Sequence, residues 1–495
     1  MITGRRMAAV DENAAALGVS QAQLMESSGN AVARLVREVA PSDATVVVVA
    51  GRGNNGGDGF VAARFLEDRE SMGESTIEHV ETHLLGRADR IGTDVARRNW
   101  KALVAADADV HEVRDSTAIS LPEADVIVDA MLGTGISGAL REPAATAAAA
   151  IAASDATVVS VDVPSGFDAT DPDANANPIG ADYVVTFHDT KPGLPELDAD
   201  CRVADIGIPA AAERFVGPGD VGLAQPASRT GRAYVVGGGP YTGAPALAAQ
   251  AALRAGMELS FVAAPTGVAD EIQGYAADLI VQPYDGDRLT PDHVDELVET
   301  AERYDDVVVL GPGLGSADES LAAARQFLEA YTGPAVVDAE ALSVVPELET
   351  EATLVCTPNA RELERMGGPA VDELRSGRAE MEAVTDEIEA FAADLGHVVL
   401  VKGVDDVISD GERTRIARVG VPGMAVGGTG DLLAGITAGL LEHADPFEAA
   451  SAAAYVNGRA GEVLADRWGA GDGLGITASD LLTEIPGVLW GESDD

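Results

Sequence analysis

Short runs rich in valine and isoleucine alternate along this chain with longer stretches rich in alanine and leucine. Runs such as TVVVVA and DVIVDA are apolar on both strand faces, which is typical of strands buried in a parallel sheet. Strands separated by helical patterns imply repeated β-α-β units, so the chain is predicted to be an α/β protein. In the first half, the predicted strands are residues 45–50, 77–84, 125–130, 157–163 and 182–187.

The same alternation begins again in the second half of the 495 residues. The predicted strands there are residues 233–236, 259–264, 306–310, 335–338, 353–356 and 398–402, followed by a shorter pair at 406–409 and 415–419. Helical patterns cover residues 8–39 and 430–488. Residues 215–232 are rich in glycine and proline and have no clear period, as linkers often do. We therefore predict one domain over residues 1–218 and a second over residues 228–495.

The charge balance is strongly acidic, with 33 cationic against 82 anionic side chains, a net charge of −49 and only three lysines. Clustered cations attract nucleic acids and anionic membranes, so neither is expected as a partner. At about 1 M salt the Debye length falls to about 3 Å, so this composition favours a halophilic protein in a salt-rich cytoplasm. The two cysteines suit neither a disulfide framework nor a metal site, and neither a signal peptide nor a membrane span is predicted.

The most informative stretch of the first half, VVVVAGRGNNGGDGFVAARFL, places a glycine turn between a buried strand and a helix. It matches G-x-G-x-x-G, in which glycines let backbone N–H groups approach a pyrophosphate. An ordinary glycine-rich turn is the alternative, although Asn54, Asn55 and Asp58 add oxygens that a plain phosphate loop does not need. Because a carboxylate repels phosphate, Asp58 is interpreted as a helix cap or as a ligand of a ribose or a cation.

Polar side chains also follow two later strands, where Asp129 ends one and Asp162 and Ser165 follow the other. The carboxyl ends of parallel strands share one edge of a sheet, where ligands bind. Asn55, Asp129 and Ser165 could therefore converge as oxygen ligands of a hard cation. The alternative is that the two aspartates cap the helices that follow.

The segments GRGNNGGDGFVAARFL, DAMLGTGISG, VDVPSG and TFHDTKPG, with the leader LMESSGNAVA, resemble the NAD(P)H-hydrate epimerase family. The resemblance implies a Rossmann-like three-layer domain that interconverts the R and S epimers of NAD(P)H hydrated at C6. It implies that Asp162 is the acid or base and that potassium binds Asn55, Asp129 and Ser165. Lys191 either balances phosphate charge or is structural. The implied hydrate-binding residues are Asn54, Asn55, Gly56, Gly57, Asp58, Gly133, Thr134, Gly135, Ile136, Ser137, Gly138, Ala139 and Asp162.

The strongest motif of the second half is PGMAVGGTGDLLAGITAGLL, residues 422–441. Gly427, Gly428 and Gly430 precede a predicted helix, so exposed N–H groups and the helix dipole would form an anion site. Asp431 lies in the first helical turn. It could serve only as a favourable charge at the helix start, or it could remove a hydroxyl proton while the glycine loop holds a phosphoryl group in line.

With GGGPYTGAPALAA, GPGLG, VVDAEAL, TPNARE, VKGVDD and GITASDLL, this motif resembles the ADP/ATP-dependent NAD(P)H-hydrate dehydratase family, which has a ribokinase-like α/β fold. The resemblance implies that the C6 hydroxyl of the S epimer is phosphorylated and phosphate is eliminated, with Asp431 as base. It implies Mg²⁺ with the nucleotide, and we expect a homo-oligomer. The implied hydrate contacts are Ala244, Gly313, Gly315, Asn359 and Asp431, and the implied nucleotide contacts are Lys402, Gly403, Val404, Asp405, Asp406, Gly427, Gly428, Thr429 and Gly430.

Two departures leave the phosphoryl donor open between ADP and ATP. Many bacterial members have T-P-H-x-G-E where this chain has TPNARE, and K-G-A-x-T where it has KGVDD. The predicted function is the repair of NAD(P)H hydrate, with NAD(P)H hydrate and a nucleotide as ligands. The alternative is a ribokinase-like small-molecule kinase with a non-catalytic N-terminal binding domain.

The segment IEHVETHL alternates two histidines with glutamates, a pattern that resembles metal ligands. We interpret it instead as a solvated strand whose His79 and His83 and neighbouring glutamates are spread over both faces.

Overall fold

A computed structural model of the chain describes residues 1–67, 77–135, 138–168, 179–371 and 378–491. The chain divides into two compact units, Met1–Ala210 and Ala211–Asp495. Each unit contains a largely parallel sheet with helices, which confirms the predicted α/β class. Within the described residues, no helix combines the length and the apolar character that crossing a membrane requires.

The first unit forms, in its described part, a seven-stranded sheet in the order β3-β2-β1-β4-β5-β6-β7, with all neighbours parallel. Its strands are β1 (Ala44–Ala50), β2 (Ile77–Leu85), β3 (Asp109–Val113), β4 (Val126–Ala130), β5 (Thr157–Val161), β6 (Tyr183–Phe187) and β7 (Asp200–Ala204). Its helices are α1 (Gly4–Ala16), α2 (Gln21–Val39), α3 (Asn54–Leu66), α4 (Asp94–Ala105) and α5 (Ala144–Ala152).

Helices cover both faces of this sheet, which gives the three layers that the sequence predicts. Val47 and Val49 of β1 share a buried cluster with Ile151 of α5. Val48, whose side chain points to the opposite face, lies against Gly59 of α3. The alternation along β1 therefore makes both faces apolar, as a buried parallel strand requires.

The helical pattern over residues 8–39 forms two helices rather than one. Gly18 has a φ of 92°, a left-handed conformation that favours glycine and ends α1. Ser20 then caps α2, because its side chain accepts the backbone N–H of Gln23 while the Gln23 side chain accepts the backbone N–H of Ser20.

The second unit forms, in its described part, a nine-stranded sheet in the order β10-β9-β8-β11-β12-β13-β14-β15-β16, in which only the last two pairings are antiparallel. Its strands are β8 (Thr230–Val236), β9 (Met257–Pro265), β10 (Ile280–Tyr284), β11 (Val307–Leu310), β12 (Pro334–Val337), β13 (Thr353–Cys356), β14 (Val398–Val401), β15 (Asp406–Ser409) and β16 (Thr414–Ala417). Its helices are α6 (Ala211–Arg214), α7 (Pro218–Ala224), α8 (Gly243–Arg254), α9 (Ala269–Gln273), α10 (Val294–Arg303), α11 (Asp318–Ala330), α12 (Ala360–Arg365), α13 (Arg378–Leu395), α14 (Thr429–Leu441), α15 (Pro446–Trp468), α16 (Ala478–Leu481) and α17 (Ile485–Trp490).

Helices α8 and α14 pack backbone to backbone on one face of this sheet. A Cβ added to Gly435 would lie 2.1 Å from the carbonyl oxygen of Ala248, and one added to Gly428 would lie 2.8 Å from the side chain of Leu247. Glycine is therefore required for this close approach. The N-terminal turns of both helices lie side by side at the carboxyl edge of the strands, where the glycine motifs of the second unit meet.

The predicted linker at residues 215–232 is wrong, since it folds as part of the second unit, whose boundary lies before Ala211. Helix α7 buries Val221 and Ala224, and its Asp220 forms a 2.6 Å ion pair with Arg415 of β16, both side chains being buried. Glycine and proline at the start of α7 gave the segment a linker-like composition. Proline suits a first helical turn, so this composition did not exclude a helix.

Candidate active sites

The first unit contains a cavity of about 850 Å³ at the carboxyl edge of its sheet. Four acidic side chains line it, from Asp11, Asp58, Glu142 and Asp162. The predicted hydrate-binding residues that line it are Asn54, Asn55, Asp58, Gly133, Thr134, Gly135, Ala139 and Asp162. The glycine turns after β1 and β4 therefore meet at one cavity, as the strand order predicts.

Three of the predicted hydrate-binding glycines do not line this cavity. A Cβ on Gly56 would lie 2.1 Å from the carbonyl oxygen of Gly51, and one on Gly57 would lie 2.7 Å from the side chain of Met25. These two glycines allow α3 to pack closely, and Gly138 lies outside the cavity lining. Ile136 and Ser137 fall outside the described residues.

Asp162 follows β5 with a φ of 65°, an uncommon left-handed conformation for a residue other than glycine. Its Oδ1 lies 2.8 Å from Nζ of Lys191 and accepts a 3.3 Å hydrogen bond from Thr186. Lys191 is fully buried, and its ammonium group also donates to the carbonyl oxygen of Phe187 at 2.7 Å. The buried side chain of Lys191 thus holds the Asp162 side chain in the cavity wall, and backbone strain at such a residue suggests a functional site.

Asp11 of α1 is a cavity residue that the sequence analysis missed. Burial and, next in size, the negative charge of Asp162 raise its pKa to about 6, although Lys191 and His188 act to lower it. Its Oδ1 is buried and has no hydrogen-bond partner in the described part of the chain. The sequence does contain a signal for Asp11, since this acidic residue lies next to Val10, an apolar position of an amphipathic helix.

Asp58 is not the helix cap that one interpretation proposed. Helix α3 begins after Gly53 without a side-chain cap, and the Asp58 carboxylate instead accepts a 2.5 Å hydrogen bond from the Ser28 hydroxyl. Burial holds the pKa of Asp58 well above its ordinary value. Asp58 therefore loses its proton less readily than an exposed aspartate does.

The three residues proposed as cation ligands do converge in the structure. Asp129 is fully buried, and it accepts hydrogen bonds from the Ser165 hydroxyl at 2.6 Å and from the Ser165 backbone at 2.8 Å. The side-chain amide of Asn55 donates to the carbonyl oxygen of Leu132 at 2.9 Å, and the Ser165 hydroxyl lies 3.3 Å from that oxygen. Asp129 therefore does not cap the helix that follows, because its side chain accepts hydrogen bonds from Ser160, Ser165 and Met131.

In the second unit, a lysine and a carboxylate meet at the carboxyl edge of the sheet. Lys402, directly after β14, places Nζ 2.7 Å from Oδ1 of Asp338, directly after β12. The Thr357 hydroxyl donates to the same oxygen at 2.7 Å. A Cβ on Gly430 would lie 3.1 Å from Lys402 Nζ, so the ammonium group adjoins the first turn of α14.

Asp431, in that first turn, lies in the field of this ion pair. Burial and, next in size, the charge of Asp338 raise its pKa to about 7, although Lys402 acts to lower it. Burial alone would lower the pKa of Lys402, but Asp338 and Glu362 hold it above its ordinary value. A carboxyl group that titrates near neutral pH is suited to general base catalysis. Asp338 was missed as a site residue because its role depends on a contact across two strands.

Asn359 has a structural role in addition to any contact with a ligand. Its side-chain oxygen caps α12, accepting the backbone N–H groups of Arg361 at 3.0 Å and Glu362 at 3.1 Å. Its backbone pairs with that of Lys402 in an isolated parallel bridge, just beyond the ends of β13 and β14. Asparagine therefore keeps this turn beside the lysine.

The predicted nucleotide-binding residues form two loops. After β14, the Gly403 backbone donates to Asp406 at 2.9 Å, Asp405 pairs with Arg418 at 3.0 Å, and Val404 is 66% exposed. Burial raises the pKa of Asp406 to about 6. In the second loop Gly428 has a φ of 102° and precedes α14, whose first residues are Thr429 and Gly430, while Gly427 lies just before it.

The predicted hydrate-binding glycines Gly313 and Gly315 follow β11 with φ values of 78° and 72°. Gly315 lines a smaller cavity of about 390 Å³ that also includes Asp287 and Arg288. Ala244 lies in the first turn of α8, beside the start of α14. The structure thus places these residues at the same edge of the sheet as Asp431.

Family models match both units. The model described as NAD(P)H-hydrate dehydratase covers residues 233–486, and the model described as YjeF-related protein N-terminus covers residues 21–193. A bifunctional NAD(P)H-hydrate repair enzyme from Methanothermobacter thermautotrophicus is 40% identical, over 98% of this chain and 94% of its own. One from Pyrobaculum aerophilum is 40% identical over 99% of this chain and 98% of its own. A solved ADP/ATP-dependent NAD(P)H-hydrate dehydratase from Bacillus subtilis is 23% identical, with a TM-score of 0.46, over 56% of this chain and 97% of its own.

Proposed function

The chain belongs to the family of bifunctional NAD(P)H-hydrate repair enzymes, and we propose that each unit carries one of its two activities. The first unit interconverts the R and S forms of NAD(P)H hydrate, and the second dehydrates the S form to NAD(P)H at the expense of ADP or ATP. Relatives that share 40% identity over nearly the whole chain support this function rather than a small-molecule kinase with a non-catalytic first domain. The structural observation that carries the proposal is Asp431, a carboxyl group with a pKa of about 7 beside Lys402 and a glycine loop.

In the first unit, Asp162 is the group that exchanges a proton with the hydrate. Its described contacts with Lys191 and Thr186 both engage Oδ1, so Oδ2 is the oxygen for proton transfer. The Oδ1 atom of Asp11, which has no hydrogen-bond partner among the described residues, is an acceptor for a substrate hydroxyl or amide. The loops at Asn54 and Gly133 hold the rest of the hydrate.

Potassium is proposed for the cluster formed by Asn55, Asp129, Leu132 and Ser165. Hard cations take oxygen ligands, and the carboxylate, the hydroxyl and the carbonyl oxygen of Leu132 supply them. Both carboxylate oxygens of Asp129 accept hydrogen bonds from described donors. A cation would therefore bind by displacing the hydrogen bond from the Ser165 hydroxyl, so that this hydroxyl oxygen becomes a ligand. A bound cation would supply positive charge next to the phosphates of the substrate.

In the second unit, Asp431 removes the proton of the C6 hydroxyl while that oxygen attacks the terminal phosphorus of the nucleotide. A C6–O–P bond forms and the bond between the transferred phosphorus and the bridging oxygen of the nucleotide breaks, giving AMP from ADP or ADP from ATP. The C6–O bond then breaks as phosphate leaves, and the C5–H bond breaks as its proton passes to water, so that the C5–C6 double bond of the reduced nicotinamide ring is restored. Lys402 and the N–H groups of Gly428 and Gly430 stabilise the charge on the transferred group.

Mg²⁺ is proposed as the companion of the nucleotide, since it binds phosphates together with one or two carboxylates. Asp338 and Glu362 are the carboxylates available at this edge. The choice between ADP and ATP stays open, because TPNARE and KGVDD both depart from the bacterial pattern.

We also propose that the protein is halophilic, works in a potassium-rich cytoplasm and forms a homo-oligomer. The net charge of −49 with three lysines supports the first point. At high salt, screening relieves the repulsion among surface carboxylates, so the free energy of unfolding should rise with KCl concentration. Unfolding by heat at several KCl concentrations measures this, and greatest stability at low salt would contradict it.

The test of function is the recovery of NADH absorbance from mixed-epimer NADH hydrate, in concentrated KCl with Mg²⁺ and either ADP or ATP. The proposal predicts nearly complete recovery with at least one nucleotide. Asp431→Asn should abolish recovery, whereas Asp162→Asn should repair only the S fraction quickly. No recovery with either nucleotide would overturn the proposal. Because the epimers interconvert slowly without enzyme, the second variant is judged by its rate.

A further inference from the structure

Three of the chain's seven histidines lie with two carboxylates on neighbouring strands of the first unit. His79, Glu81 and His83 lie on β2, and Asp109 and His111 lie on the edge strand β3. The strand register pairs Glu81 with Asp109 and His83 with His111. Alternate residues of a strand share one face, so His79, Glu81 and His83 lie on the same face of β2. The sequence interpretation that placed these three residues on both faces is therefore wrong.

The nitrogen and oxygen atoms of this cluster are close together. The Nε2 atom of His79 lies 3.3 Å from Oδ2 of Asp109, and Nε2 of His111 lies 2.9 Å from Oδ1 of Asp109. The same His111 nitrogen lies 3.2 Å from Glu81 Oε1. One ligand atom each from His79, Glu81 and Asp109 lie within 4.8 Å of one another. In a tetrahedral site with bonds of about 2.0–2.1 Å, ligand atoms lie about 3.3 Å apart.

The charges of the cluster favour a divalent cation. Among the described residues, Glu81 and Asp109 form ion pairs with histidines and with no lysine or arginine. Two carboxylates carry the charge that one divalent cation balances. Imidazole nitrogens select zinc and other first-row transition metals, whereas Mg²⁺ and Ca²⁺ prefer oxygen alone.

We propose that His79, Glu81 and Asp109, with His111 as the fourth ligand, bind one divalent transition-metal ion such as Zn²⁺. His83 contacts Glu81 Oε1 at 2.7 Å and orients that carboxylate, as supporting groups around metal ligands do. The ion joins the edge strand β3 to β2 and is structural.

This site is separate from the cavity of the first unit. Strand β2 reaches the cavity only at Leu85, six residues beyond His79, or about 20 Å along an extended strand. The proposal therefore does not depend on the proposed function, and loss of the metal should leave both repair activities intact.

The test uses the full chain after removal of metals with a chelator, in concentrated KCl with excess Mg²⁺ to occupy sites made of carboxylates alone. Zn²⁺ is titrated in competition with a chromogenic chelator, and X-ray absorption reports its ligands. The expected result is one saturable site with mixed nitrogen and oxygen ligands. His79→Gln and Asp109→Asn should each weaken binding by about tenfold or more. The matched control His443→Gln removes a histidine of the second unit and should leave the affinity unchanged.

Zn²⁺ should also raise the unfolding temperature of the wild-type chain and not that of either variant, since a ligand stabilises only the state that binds it. His79 and Asp109 are 48% and 45% exposed, so their variants should fold, and NADH recovery from the hydrate checks this. Absence of saturable Zn²⁺ binding by the wild-type chain would overturn the proposal, as would equal affinities of wild type and both variants.

Discussion

The raised pKa of Asp431 makes the dehydration rate depend on pH in a calculable way. With a pKa of about 7, about one molecule in eleven has the ionised base at pH 6 and about ten in eleven at pH 8. The kcat/KM for the S epimer should therefore rise about tenfold between these values. An aspartate with its ordinary pKa near 3.9 would be ionised throughout, and the rate would change by less than about 1%.

Two substitutions should move this profile in opposite directions. Asp338→Asn removes the nearest like charge and frees Lys402, and both effects lower the pKa of Asp431. The acid limb should therefore move to lower pH. Lys402→Met removes the cation that lowers this pKa, so the limb should move to higher pH. Both variants will lose rate, but the position of the limb is independent of that loss.

The assay is the initial rate of NADH recovery from the S epimer between pH 5.5 and about 8.5, at saturating nucleotide and subsaturating hydrate. Titration of the nucleotide phosphates is common to all three proteins, so differences between them report Asp431. A flat wild-type profile would refute the reasoning. Shifts of both variants in the same direction would refute it as well.

Three further predictions concern the epimerase cavity, the potassium cluster and the fold. Asp11→Ala removes from the cavity an acceptor that has no hydrogen-bond partner among the described residues, and it should slow epimerisation about tenfold to a hundredfold while leaving dehydration of the S epimer unchanged; a loss of both would indicate misfolding instead. Ser165→Ala should raise the KCl concentration needed for half-maximal epimerase activity, measured against a constant total salt kept with a bulky organic cation; an unchanged requirement would remove this residue from the cation site. Gly435→Val should lower the free energy of unfolding by about 2–4 kcal/mol, because its Cβ would meet the Ala248 backbone, whereas Gly487→Ala, with open space around it, should have little effect; equal unfolding temperatures would contradict this.

The central strands could be predicted from the sequence because buried parallel strands are apolar on both faces. Strands such as β1 and β11 carry uninterrupted valine runs, and the structure places them within two residues of the prediction. The missed strands β3, β7 and β10 contain charged residues or a proline, as in DVHEV, DCRVA and IVQPY. All three lie at the edges of their sheets, where a strand pairs with a neighbour on one side only. Such a strand does not need an uninterrupted apolar run, so the hydrophobic pattern alone does not reveal it.

The candidate sites divide in a similar way. In the first unit, Asn55, Asp129 and Asp162 lie at or after the ends of strands, and the rule that ligands bind at the carboxyl edge of a parallel sheet predicts their convergence. In the second unit, Asp431 was found because it follows a glycine turn. Asp11 could not be placed that way, because it reaches the cavity from a helix that precedes the first strand.

Asp338 ends a strand too, but its importance comes from the 2.7 Å contact with Lys402, which lies 64 residues later. The histidine cluster likewise could not be predicted, because it depends on the register between β2 and β3. The alternation of His79 and Glu81 along β2 does not contain that register.

A single chain is proposed to perform both halves of the repair, and the R epimer of NADH hydrate tests this proposal most directly. The wild-type protein is given the purified R epimer alone, with Mg²⁺, KCl and the nucleotide that supports dehydration, and NADH absorbance is followed. The account predicts recovery much faster than spontaneous interconversion of the epimers, and recovery limited to that spontaneous rate in Asp162→Asn. Recovery by the wild-type protein at only the spontaneous rate, with the S epimer repaired normally, would contradict it.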